Sequence, residues 1–160
     1  MDARDFSDAF GGLFRELLNG PERPGQAYML NTGDIGLLRS LDAISAEGAS
    51  RSSQGGATIA AHVDHLRYGL SLLNAWSSGA NPWDTADFTT SWRISTVTDA
   101  EWRELRSQLR AESQKWMEAV RGRHLTTATE ASEVFGSIAH LAYHLGAIRQ
   151  IEKEARGPKA

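Results

Sequence analysis

The sequence predicts an all-α fold, a four-helix bundle, on three grounds. No segment alternates apolar and polar residues with period two over a useful length, four long segments repeat apolar residues at helical spacing, and loops join them. At 160 residues and 41% hydrophobic content, the chain is the size of one domain, spanning 1–160, able to bury its own core.

Phe6, Phe10, Leu13, Phe14, Leu17 and Leu18 fall at the i, i+4, i+7, i+8 spacing of an amphipathic helix, which Asn19-Gly20-Pro21 ends. Glycines and prolines make residues 20–33 a loop, Ile35, Leu38, Leu41 and Ile44 predict a short extra helix, and the serine- and glycine-rich stretch 45–56 reads as another loop. Residues 20–56 are thus a long crossover compatible with an up-down-down-up order. Thr58 caps the second long helix, whose apolar face carries Ile59, Val63, Leu66, Leu70 and Leu73 to about Trp76. Ser77 to Pro82 stops it. From Trp83 to Val97 the pattern is irregular, but Trp83, Phe88 and Trp92 need apolar surroundings, which predicts an ordered, Trp-rich loop lying across the bundle between the second and third long helices. Thr98 and Glu101 match a capping box, after which Trp102, Leu105, Leu109, Trp116 and Val120 continue the third helix towards Gly122. A second box, Thr127 with Glu130, opens the last helix; Val134, Ile138, Leu141, Leu145, Ile148 and Ile151 carry it, and Gly157-Pro158 closes it.

Composition excludes several functions. Lysine and arginine number 17 against 20 acids, a formal net charge of -3 with no basic block to track a phosphate backbone, so nucleic acid is not an expected partner. There is no cysteine, which removes disulfides, thiolate metal ligands and a cysteine nucleophile. Any thiol chemistry would have to use a thiol from outside. Met1 to Phe6 carries acids where a signal peptide needs a basic start, and no run approaches the roughly 20 apolar residues of a membrane span. Cytoplasmic residence without a membrane partner is the expectation.

Four histidines suggest a metal. His140 and His144 stand four apart, so both imidazoles project from one side of a helix, flanking its apolar centre where a neighbouring helix would meet it. His62 and His65 lie on the second long helix among small and apolar residues. Helical geometry places His62 nearer the apolar centre, whereas His65 occupies the same flanking position as the C-terminal pair; spacing alone leaves the choice open. His124 falls in a turn and has no assigned role. Asp64 and Asp84 are read as surface acids, and Trp83 and Trp92 as pocket or core walls.

Thr58 to Leu66, the tryptophans 83 and 92, Glu101-Trp102, and the block from Ala139 through His140-Leu-Ala-Tyr-His144-Leu-Gly146 to Gln150 together resemble the DinB-like metalloprotein family over most of the chain. The most specific part is the histidine pair with glycine two residues after its second member; Ala147 departs from the glutamine many members carry there. The resemblance implies an up-down-down-up four-helix bundle whose metal is held by one histidine of the second helix and the pair of the fourth. Carried over by position, the ligands are His65, His140 and His144, with His62 a neighbour one turn away. It further implies a divalent metal, zinc or nickel foremost and iron as a further option, and a homodimer.

Three neutral imidazoles leave a metal with coordination positions for water or substrate, which suits Lewis-acid chemistry. The expected function is a metal-dependent transferase acting on a small-molecule substrate with an external low-molecular-weight thiol, as in relatives the chain resembles. A hydrolase of small molecules is the variant in the same class, and a non-enzymatic metal or small-molecule binding bundle the alternative from another. His62, Trp83, Trp92 and Arg149 are the expected residues of the substrate pocket.

Overall fold

The computed structural model describes residues 3–23, 25–152, 155 and 157, and it is all-helical. Six α-helices follow in order: α1 (Ala3–Asn19), α2 (Gly36–Asp42), α3 (Ala46–Ala49), α4 (Ile59–Ser77), α5 (Asp99–Val120) and α6 (Ala128–Ile151). Single 3-10 turns occur at Pro82–Asp84 and Thr90–Trp92, and an isolated antiparallel bridge joins Ser52 to Thr58. Among the described residues no helix is long and apolar enough to cross a membrane. Met1, Asp2, Pro24 and Pro158 lie outside the described residues.

The helix starts follow from their caps. Thr58 Oγ1 accepts from Ala61 N at 3.1 Å and donates to Ile94 O at 2.6 Å, so the residue that starts α4 also ties down the segment before α5. Thr98 with Glu101 and Thr127 with Glu130 form both halves of their capping boxes, satisfying donors that the first helical turn leaves unpaired. α3 is a departure: the stretch read as loop contains one helical turn, begun by Ser45, whose side chain accepts from Gly48 N.

α4 packs along α5 and α6, and α1 along α2, α6 and α5. Their facing sides bury Phe14 and Leu17 of α1, Leu66 of α4, Leu109 and Trp116 of α5, and Leu141 and Ile148 of α6. Each such side chain contributes about 1.5–3 kcal/mol relative to exposure. Both core tryptophans also satisfy their indole N–H, Trp102 on Ile44 O at 2.7 Å and Trp116 on Ser137 Oγ at 2.9 Å.

Two buried carboxylates organise the first crossover. Glu16 accepts the backbone N–H groups of Tyr28, Met29 and Leu30; burial raises its pKa, but these three bonds outweigh it and hold the carboxyl below its usual range. Asp34 accepts from Gly36 N at 2.8 Å and from Arg149 Nη2 at 2.7 Å. Beside it the backbones of Gly20 (φ 87°) and Gly36 (φ 71°) pass so closely that a Cβ on Gly36 would strike Gly20 N and Asn19 N. Gly36→Ala should therefore destabilise the protein by more than about 2 kcal/mol, through strain at positive φ and backbone overlap. Chemical denaturation measures this, and a loss no larger than that of an exposed Gly12→Ala control would refute the close-crossing account.

Candidate metal centre

α4 and α6 build the centre between them. His65, His140 and His144 each offer one ring nitrogen, and those three atoms lie within 4.8 Å of one another. The ring centroids form a triangle, 4.9 Å from His65 to His140, 5.0 Å from His65 to His144 and 4.5 Å from His140 to His144. Among the described residues these three form the only such group of potential ligands. His144 is buried at 1% exposure, and His62 and His140 are half-buried. Gly69, one turn after His65, lies against the His140 ring: a Cβ there would be in van der Waals contact, 3.4 Å from His140 Cε1.

Hydrogen bonds orient the rings. Ser91, 2% exposed, has one hydroxyl proton and gives it to Phe88 O at 2.8 Å. Its oxygen, 2.9 Å from His65 Nδ1, is therefore the acceptor there, which makes Nδ1 the protonated nitrogen and leaves the His65 Nε2 lone pair for a ligand. His144 Nε2 lies 2.9 Å from His140 Nε2, and its other nitrogen, Nδ1, lies 2.8 Å from His62 Nδ1. Two nitrogens bound to one tetrahedral zinc stand about 3.3 Å apart, so the His140–His144 pair needs only a small displacement to share an ion. His62 thus sits behind His144, on the nitrogen turned away from His140.

All four imidazoles are biased to the neutral form that a metal requires. Burial lowers the pKa of His62 and His140; burial first, then the neighbouring histidines, brings His65 down to about 4 and His144 to about 3.

Comparison with known proteins offers no relative. No family model, no curated protein and no solved structure matches the chain.

The segment between α4 and α5 covers the histidines. Trp92 stacks on His65 with centroids 4.2 Å apart and meets His62 edge-on at 5.3 Å. Trp83 and Phe88 line a cavity of about 280 Å³ that opens beside His65 and His140. Arg149 does not join them: its guanidinium bonds to Asp34 Oδ1 at 2.7 Å and to Ala155 O at 2.9 Å, so the expected pocket arginine instead clamps the crossover to the C-terminal segment. Asp84 is an exposed acid that accepts from Asn81, whereas Asp64, expected at the surface, has a side chain only 14% exposed and pairs with Arg67 at 2.7 Å. Sequence reasoning missed Ser91, Gly69 and Glu133, a half-buried cavity residue. The glutamate had one available signal, its place seven residues before His140 on the same helix face.

These depressed pKa values set a pH window for the metal-free protein. Unfolded histidines titrate at their ordinary 6.5, so as pH falls the unfolded chain binds protons first. Stability should be full above about 6.5 and decline as pH drops towards about 4 and then about 3. Thermal unfolding across that range should show the decline, flattened in His144→Ala; an equally steep decline in the variant would show that His144 is not its source.

Proposed function

We propose that this protein is a metal-dependent enzyme of the DinB-like kind, a transferase that uses an external low-molecular-weight thiol. The observation carrying the reading is the convergence of His65, His140 and His144 from two helices, with a cavity on the His65–His140 side. Three neutral imidazoles fit a divalent ion of intermediate softness, zinc or nickel foremost and iron as a further option. With no fourth ligand joining the group among the described residues, a bound ion would keep a position for substrate. When bound, the ion supplies Lewis acidity, favouring the thiolate of an incoming thiol or activating water.

The chain's own residues do the rest. Ser91 sets the His65 tautomer, His62 backs His144, and Trp92 shields both α4 histidines from solvent. A hydrolase of small molecules would use the same centre; the thiol reading is preferred because the family the chain resembles includes thiol-dependent transferases, and the absence of cysteine agrees with a thiol arriving as cosubstrate.

The fold reading that accompanies this function is an up-down-down-up bundle of α1, α4, α5 and α6, with the tryptophan-bearing segment as an ordered loop. Its support is the direction of α5. Thr58, at the start of α4, bonds to Ile94 just before α5, whereas Asn74, near the end of α4, bonds to Glu112 in the second half of α5. The intervening segment therefore returns along α4, and the two helices run the same way, as the middle pair of that order does. Homodimer formation belongs to this reading through the resemblance alone, and cytoplasmic residence through the sequence expectation alone.

Protein purified without chelator should contain a stoichiometric divalent ion by elemental analysis, and a panel of low-molecular-weight thiols should reveal metal-dependent transfer. Metal-free, thiol-inert protein would overturn the proposal. His144→Ala should abolish stoichiometric metal binding while circular dichroism stays helical. His65→Ala should do the same, whereas His62→Ala, which removes only the backing imidazole, should weaken metal affinity roughly 10- to 100-fold. Equal losses in the two α4 variants would mean that the ligand assignment is wrong.

A further inference from the structure

The cavity beside the histidines has a charged far end. His65, His140, Trp83, Phe88, Glu133 and Gly136 all line the cavity, and Phe88 meets His65 with ring centroids 5.7 Å apart. Glu133 and His140 are seven residues apart on α6, which puts them on one helix face about 10 Å apart along the axis.

Three properties of this lining restrict what can occupy it. First, no lysine or arginine lines it, so the Glu133 carboxyl is its one acidic group and has no internal counter-ion there. Burial alone raises the Glu133 pKa, with neither a hydrogen bond nor a neighbouring charge among the causes. Second, the other polar side chain near that end is already committed, since Ser137 accepts from Trp116 and donates to Val134 O. Third, the Trp83 and Phe88 rings are 37% and 39% exposed, leaving aromatic surface of the kind that attracts cations. Gly136 faces open space, as a Cβ there would meet nothing within 4 Å.

A half-buried carboxyl without a hydrogen-bond partner, in a cavity that aromatic rings also line, is stabilised by an incoming cation and repels an anion. We infer that this cavity binds a small primary-ammonium compound, the ammonium on Glu133 and a soft donor atom at the His65–His140 end. The inference rests on the thiol-transferase reading above and narrows it: the thiol is an aminothiol, not a thiol ending in a carboxylate or a neutral group. A flexible chain linking its two ends must be short enough for the roughly 10 Å between the helix positions.

The test uses metal-loaded protein and a series of linear ω-aminothiols, each compared with the hydroxythiol and the mercaptocarboxylate of equal length. Wild-type protein should bind the best aminothiol roughly 10-fold more tightly than the matching hydroxythiol, as a charge-assisted hydrogen bond implies. The mercaptocarboxylate should bind weakest. Glu133→Gln should erase the ammonium preference without changing metal content, and Glu133→Lys should shift preference to the mercaptocarboxylate. Equal binding of the aminothiol and hydroxythiol by wild type, or a preference that survives Glu133→Gln, overturns the inference.

A second measurement needs no metal. In metal-free protein, n-butylammonium should perturb the Trp83 indole resonance more than n-butanol does, and only while Glu133 is present. Failure to load metal with this ammonium response intact would count against the enzymatic reading alone. Normal metal loading with no ammonium response would count against the aminothiol assignment alone.

Discussion

Packing α4 against α6 brings four imidazoles within reach of one another, and that contact is tolerable only while the rings are uncharged. Ordinary histidine would be partly protonated near neutrality. Here burial and mutual repulsion together keep the rings neutral, with His65 near pKa 4 and His144 near pKa 3. The same surroundings that would be unfavourable for cations are what a divalent ion needs from its ligands, namely free lone pairs. Folding thus prepares nitrogen donors that an exposed cluster would lose to protons at mildly acidic pH.

The supporting structure divides between rigid and adaptable parts. Beneath the site, Leu66, Leu141 and Leu145 are almost wholly buried and fix the helices that carry the histidines. In the first crossover, Glu16 gathers three backbone donors and Asp34 holds both Gly36 and Arg149, so carboxylates fasten the loop before α2 while Leu37, Leu38, Leu41 and Ile44 anchor the rest in the core. Over the histidines lies a segment of different character. It has two short 3-10 turns, half-exposed rings and one buried serine, and it meets α4 through ring contacts and through hydrogen bonds at Thr58, His65 and Tyr68.

Local features were readable in the sequence; features made by tertiary contact were not. The long helices follow from apolar spacing, the cap at Thr58 from a threonine just before the apolar run, and the caps at Thr98 and Thr127 from a glutamate three residues on, because each is written within one turn of chain. α3 escaped because its four residues, Ala46–Ala49, are too few to show a periodicity. The C-terminal histidine pair stood out by its four-residue step, but the helical wheel could not choose between His62 and His65. The wheel ranks residues by their angle from an average apolar face, whereas the structure distinguishes them by what their nitrogens meet: Ser91 and the cluster for His65, and the far side of His144 for His62. Arg149 shows the same limit, since Asp34, 115 positions away, decides where its guanidinium points. Glu133 became conspicuous only once the cavity showed that nothing there neutralises it.

The Ser91 hydroxyl has a consequence for traffic through the site. It belongs to the strap that also carries Trp83 and Phe88, yet it is the group that fixes the His65 ring. Lifting this strap to admit a guest would loosen the ring's anchor at the same moment, and laying it down again would reset the anchor. The seating of this segment and the orientation of the His65 ring are therefore linked through one hydroxyl.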